Sequence, residues 1–159
     1  MVKLKIRQGE AQMANYATIA QGDTYFAGHL NTDPWDDATD ANKTKALTEV
    51  TRAIDRLNFQ GELADEDQSN QFPRGDDTTV PTDIQYACLE ESLIRLDDIE
   101  VEQEISNLRM KSQGYANIRS TYDSSFVQDH IMAGIMSVIS WQYLQPYLRD
   151  SRGITISRV

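Results

Sequence analysis

The sequence predicts a mainly α-helical single domain: a four-helix bundle with strand-like arms at both ends and a small flap or hairpin. Three observations carry that expectation. Apolar residues recur at three- and four-residue steps in four separate stretches, the two termini alternate apolar and polar residues, and 159 residues with 40% hydrophobic content supply one core rather than two. The chain divides into an N-terminal arm (1–13), a helical body (14–105), a flap (106–123), a long C-terminal helix (124–148) and a tail (149–159).

In the arm, Val2, Leu4 and Ile6 alternate with Lys3, Lys5 and Arg7. A lone strand has no partner of its own, so Leu4 and Ile6 are expected to contact another chain. Thr18 followed by Gln21 makes a capping box for a first helix with Ile19, Tyr25, Phe26 and Leu30, ending near His29. Asp33-Pro34-Trp35-Asp36-Asp37 reads as a turn. Asp40 is placed to cap a second helix whose apolar set is Ala46, Leu47, Val50, Ala53, Ile54 and Leu57, running to Asn58. Residues 59–80, with Gly61, Pro73 and Gly75, form a long loop. Pro81 opens a third helix in its first turn, where the missing N–H costs nothing, and Asp83 suits the positive helix start. Ile84, Ala87, Cys88, Glu91, Leu93, Ile94 and Leu96 continue that helix, with an extension to about residue 105. Gly114 divides two alternating runs between Leu108 and Tyr122, the flap. Ser124 or Ser125 then caps the most apolar helix, from Phe126 to about Leu148, and Ile154 and Ile156 alternate with polar neighbours in the tail.

Charge is unevenly placed. The net charge is −10, so the molecule as a whole repels phosphate backbones and anionic membrane surfaces. From Glu62 to Glu104 there are fourteen acidic residues against Arg74 and Arg95, whereas Lys3, Lys5, Arg7, Arg149, Arg152 and Arg158 make the ends basic. One reading is a solvated acidic face with tails balanced for solubility. The other is that the ends dock onto other chains while the acidic body faces something it must not grip. No run has the roughly 20 apolar residues a membrane span needs. The start also lacks the apolar centre of a signal peptide, so synthesis in the cytoplasm is expected.

Chemistry-bearing patterns are sparse. Cys88, the single cysteine, falls in an apolar-periodic stretch and reads as a core residue. His29 and His130 belong to no H-x-x-x-H or H-E-x-x-H spacing, which leaves a metal site without support. No glycine-rich phosphate loop and no G-x-S-x-G elbow occurs. Adjacent carboxylates such as Asp36-Asp37, Asp76-Asp77, Glu90-Glu91 and Asp97-Asp98 point about 100° apart on a helix and read as solvent-facing charges rather than catalytic pairs. The expectation is a non-enzymatic protein with no catalytic residue, cofactor or metal.

Landmarks read together carry a resemblance. Ala14-Asn15-Tyr16 leads to the capped helix with Ala20, Asp23, Tyr25 and Phe26; Trp35, Ala46-Leu47, Ala53-Ile54-Asp55 and Phe59-Gln60-Gly61 follow. Then come Gln68, Gln71-Phe72-Pro73-Arg74, Val80-Pro81 and a helix with Ile84, Ala87, Glu90 and Leu93. From residue 14 to 96 this order and spacing resembles a family of tailed-phage head-tail connector adaptors, some of whose members are described as DnaT-like single-stranded-DNA-binding proteins. Beyond residue 106 the likeness covers only the flap and Pro146-Tyr147-Leu148, and the long apolar helix departs from it.

The resemblance implies a connector-type bundle in the virion, about a dozen copies docked as a ring under the portal protein, with tail or nozzle proteins below and DNA passing through the lumen without specific binding. Trp35, Phe59, Phe72, Pro73 and Arg74 are then structural anchors, Arg74 also a partner for acidic surface of the same or an adjacent subunit, and Ile154, Ile156 and Arg158 the contacts of the tail with the portal or a neighbour. Two alternatives stand beside it. A module for single-stranded DNA would use Tyr115 and Tyr122 with Lys111 and Arg119, and a small helical regulatory or scaffolding protein would act through protein contacts alone.

Overall fold

The computed structural model describes residues 14–97, 103, 106, 112–115, 118–121 and 129–149. The chain is mainly helical: α1 (Ile19–Phe26), α2 (Asp33–Asp36), α3 (Asp40–Asp55), α4 (Thr82–Leu96), a hairpin of β1 (Ser112–Tyr115) and β2 (Ile118–Thr121), α5 (Asp129–Met132), α6 (Val138–Leu144) and a 3₁₀ turn (Gln145–Tyr147). Helix α4 sits at the centre, packed against both α3 and α6 and touching α2.

Local chemistry explains each boundary. The capping box forms, with Thr18 N–H donating to Gln21 Oε1 at 2.8 Å and Gln21 N–H to Thr18 Oγ1 at 3.2 Å. Helix α1 stops at Phe26 rather than near His29, because His29 N–H turns back to the Phe26 carbonyl and Asn31 takes φ +59°. The expected turn at 33–37 is one helical turn, α2, with Pro34 near its start and Trp35 fully buried. Asp40 does not cap α3: Thr39 does, accepting from Asn42 N–H at 3.3 Å, and Asp40 lies inside the first turn, where its charge still favours the helix dipole. Helix α3 ends at Asp55, three residues early, since Arg56 and Leu57 N–H groups bond three residues back and tighten the last turn. Pro81 stands just before α4 in extended conformation, and its carbonyl accepts from Ile84 and Gln85. The proposed extension of α4 to residue 105 lies, apart from Gln103, outside the described residues.

Two departures are larger. Gly114 is inside β1, paired with Arg119, and does not divide the two strands. The single helix expected over 126–148 is interrupted after Met132. Gly134, at φ +83°, closes α5 in a Schellman motif: Ile135 N–H reaches the His130 carbonyl and Gly134 N–H that of Ile131. Ser137 then caps α6, accepting from Ser140 N–H at 3.1 Å. Residues 124–128 lie outside the described residues.

One core unites these pieces: Tyr16, Phe26, Trp35, Leu47, Val50, Ile54, Phe59, Phe72, Ile84, Leu89, Ile135 and Leu144 belong to it. The 59–80 loop is stitched to it at both ends. Phe59 bridges Leu148 and Leu63 bridges Arg74, while Phe72, preceding a cis proline, packs on Tyr16, Phe59 and Tyr147 with ring centroids 5.9, 4.7 and 5.7 Å away.

Candidate functional site

Exposed cations are the first requirement for gripping nucleic acid. Lys45 and Arg52 on α3 and Arg56 at its C-cap are all exposed and, seven and four residues apart, share one face over about 16 Å. Glu49 interrupts the stripe, and α3 carries no aromatic residue on which a base could stack. Lys43 is not part of it. Its ammonium is buried, 3.3 Å from Asp23 Oδ1 and 4.9 Å above the Trp35 ring. The Trp35 indole N–H donates to the same carboxylate at 2.9 Å, and that bond, aided by Lys43, holds the Asp23 carboxyl below its ordinary range.

Aromatic rings gather elsewhere. Tyr25 lies 4.3 Å from His29 and 4.6 Å from Tyr86, which meets Tyr143 edge-on at 5.8 Å. Beneath them Glu90, its side chain 8% exposed, accepts from Tyr25 Oη at 2.7 Å and lies 4.0 Å from His29 Nε2. Burial and that carboxylate push the Tyr25 hydroxyl upward. This cluster couples α1 to α4 and α6 around an anion, the wrong charge for a phosphate chain.

Exposed carboxylates cluster in two further places. Glu62, Asp65, Glu66, Asp67, Asp76 and Asp77 are exposed along the 59–80 loop. A hollow of about 450 Å³ between α2 and the end of α4 is lined by Asp33, Asp37 and Asp97 together with Asn31, Pro34 and Leu96. Among the described residues no group of three or more metal-ligating side chains could hold an ion, and no helix is long and apolar enough to cross a membrane.

The expected anchors fall where packing needs them. Trp35, Phe59 and Phe72 are buried in the core, and Pro73 follows Phe72 into the loop. Within the described residues of its own chain, Arg74 binds carbonyl and amide oxygens rather than an acid. Its guanidinium donates to the carbonyls of Gln60, Gly61 and Gln71 and to Gln71 Oε1, at 2.6 to 3.2 Å, because the turn leaves those oxygens without backbone partners. Leu4 and Ile6 of the arm, Ile154, Ile156 and Arg158 of the tail, and Lys111 and Tyr122 of the flap lie outside the described residues. Tyr115 and Arg119 sit on β1 and β2 but are not cross-strand partners: Tyr115 faces Ile118 and Arg119 faces Gly114.

Glu90 and Glu91 correct the reading of adjacent acids as solvent-facing, since both are buried. Glu91 Oε2 accepts from the N–H groups of Met136 and Ser137 at 2.9 and 2.8 Å, and its Oε1 from Arg95 Nε at 3.0 Å. Arg95 also donates to the Gly134 carbonyl at 2.8 Å, so one ion pair fixes the whole turn between α5 and α6. A half-buried carboxylate, Asp55, accepts from Tyr16 Oη and from Gln71 N–H at 3.0 Å, and Tyr16 Oη in turn accepts from Phe72 N–H at 3.2 Å. Burial outweighs those bonds and raises the Asp55 carboxyl. The one available signal was that Glu91 falls in register with Ile84, Ala87 and Cys88 on the buried side of α4. Cys88 is a core residue, its thiol pushed up to about 12 by burial.

Compared with known protein families, residues 5–157 match the family described as "Putative DnaT-like ssDNA binding protein". No curated protein and no solved structure matches the chain.

Proposed function

We propose that the chain, which belongs to this DnaT-like family, is a non-enzymatic head-tail connector of a tailed bacteriophage: an adaptor that forms a ring beneath the portal, joins capsid to tail and leaves a conduit for DNA. The observation that carries the reading is the sign and placement of charge. With a net charge of −10, exposed acids along the 59–80 loop and around the α2–α4 hollow, and fewer exposed cations, Lys45, Arg52, Arg56 and Arg149, against them, each copy presents phosphate with more negative than positive charge over its described surface. A lumen built of such copies lets DNA slide, whereas a basic wall would hold it.

Its partners are the portal protein above, other copies beside it, about twelve in the ring, and tail or nozzle proteins below. The arm with Leu4 and Ile6 and the tail with Ile154, Ile156 and Arg158 make the contacts that a rotationally repeated, head-to-tail interface requires. It acts in the virion, at the head-tail interface. Co-sedimentation with the portal ring of its own phage tests this directly: the protein pellets with the portal, and an unchanged supernatant would refute docking.

A second reading, binding of single-stranded DNA, is favoured by the family's description and by the Lys45, Arg52 and Arg56 stripe. Anisotropy of a labelled oligonucleotide across a salt series separates the two. Tight binding that falls steeply with salt and is lost in an Arg52→Ala, Arg56→Ala variant would favour the DNA reading; no binding near physiological salt agrees with a conduit.

A further inference from the structure

The fold gathers exposed cations at one end of the bundle. Arg52 and Arg56 stand one turn apart at the C-terminal end of α3, where they complement the helix dipole. Arg149, for which that dipole does not call, joins them from the far end of the described chain: its N–H donates to the Asn58 carbonyl at 2.9 Å, and Leu148 beside it bridges Phe59. All three guanidinium side chains are exposed, and among the described residues none of them is in an ion pair.

The other end of α3 carries the opposite sign. Asp33 and Asp37 lie just before the helix starts at Asp40, and with Asp97, at the end of α4, they line the hollow of about 450 Å³. These three carboxylates are exposed, and they too form no ion pair among the described residues. Pro34 and Leu96 give the hollow apolar wall, against which the aliphatic stem of an arginine can lie while its head meets a carboxylate. The sixteen residues of α3 hold the two ends about 24 Å apart, too far to meet within one subunit.

We infer that the Arg52, Arg56 and Arg149 end of one copy docks on the Asp33, Asp37 and Asp97 end of a second copy. The inference deepens the adaptor reading and rests on it. Charge selects the occupant. Copies with a net charge of −10 repel one another unless unlike surfaces meet, and the arginine end is where one copy offsets the acid of the next. A strand of nucleic acid fits that end less well, because α3 offers no ring on which a base could stack. The two surfaces stand at opposite ends of one helix, so the contact runs head to tail and repeats by rotation into a ring. Exposed ion pairs are individually weak, which lets free copies stay apart until a portal gathers them.

Cysteine trapping and charge reversal in the full-length protein test it. Asp37→Cys and Arg56→Cys proteins, mixed under mild oxidation with and without the portal ring, give more covalent heterodimer than either gives homodimer; buried Cys88 stays out of the reaction. No excess of heterodimer in either condition overturns the contact. An Arg56→Glu, Arg149→Glu protein reverses one end, and an Asp37→Lys, Asp97→Lys protein reverses the other, its new cations standing at the C-caps of α2 and α4, where the helix dipole favours them. By native mass spectrometry each variant alone loads onto the portal several-fold less than the parent. A mixture of the two restores the count, because every contact of an alternating ring again joins unlike charges. Parental loading by either variant alone overturns the inference and leaves the adaptor standing. A loss that mixing fails to restore also overturns it, and assigns the arginines to another anion such as DNA. If the unsubstituted protein fails to load, the adaptor reading falls, and the cysteine result decides the contact by itself.

Discussion

Gly22→Ala is a severe test of the packing, although alanine is ordinarily the better helix former. A Cβ on Gly22 would lie 2.6 Å from Trp35 Cη2 and closer still to Cζ2. The indole has nowhere to go. It is fully buried, its centroid is 5.1 Å from that of Phe26, its N–H is committed to Asp23 at 2.9 Å, and Lys43 covers its face. Overpacking of this kind costs about 1 to 3 kcal/mol, and shifting the ring enough to lose its hydrogen bond adds about 1 kcal/mol. Against this, replacing glycine within a helix gains up to about 1 kcal/mol. The net expectation is a loss of about 2 kcal/mol, which for a chain of this size lowers the thermal midpoint by roughly 4 to 8 °C. Thermal unfolding by circular dichroism reads it, with Gly28→Ala as control, since no atom lies within 4 Å of a Cβ built there. A Gly22→Ala protein as stable as the parent would refute the close approach of α1 to Trp35, and with it the account of how α1 docks.

Removing the buried clamp with Glu91→Gln strands Arg95 and weakens two backbone bonds; urea unfolding is expected to show a loss of about 3 kcal/mol, and a loss below 1 kcal/mol would mean the turn at 133–137 holds without it. Two carboxylates impose opposite pH dependences. Asp23, depressed when folded, contributes stability that is present above the unfolded carboxyl value and is lost as pH falls through the folded one; Asp55, raised when folded, binds its proton more tightly in the native state, so stability declines as pH rises from the unfolded toward the folded value. Unfolding midpoints of Asp23→Asn and Asp55→Asn proteins across pH 2 to 7 should lose the first and the second of these slopes respectively, and unchanged slopes would contradict the assignments. Cys88 should not react with a thiol reagent at pH 8 in the folded protein and should titrate as one thiol in denaturant; rapid modification of the native state would place it outside the core.

Legibility in the sequence followed the range of the interaction. The Thr18–Gln21 box, the α3 stripe from Ala46 to Ile54 and the start after Pro81 are local, and each could be read from residues three or four apart. The break between α5 and α6 was also local, a glycine followed by a capping serine, but apolar residues on both sides of Gly134 kept the helical period running and hid it. Glu90, Glu91, Asp55 and Arg74 were misjudged or missed for a different reason: their partners, Tyr25, Ser137, Tyr16 and the Gln60 carbonyl, stand from 14 to 65 residues away in sequence, and a charge alone does not say whether a fold will enclose it. The arm and tail expected to make the contacts lie outside the described residues, so the candidate site is legible chiefly as charge, and that depends on composition more than on fold.

The central claim is that this acidic bundle is an adaptor loaded onto a portal. Native mass spectrometry of the full-length protein mixed with the portal ring of its own phage tests it most directly. The account predicts a complex carrying about one copy per portal subunit. Free portal beside free monomer, with both shown to be folded, would contradict it.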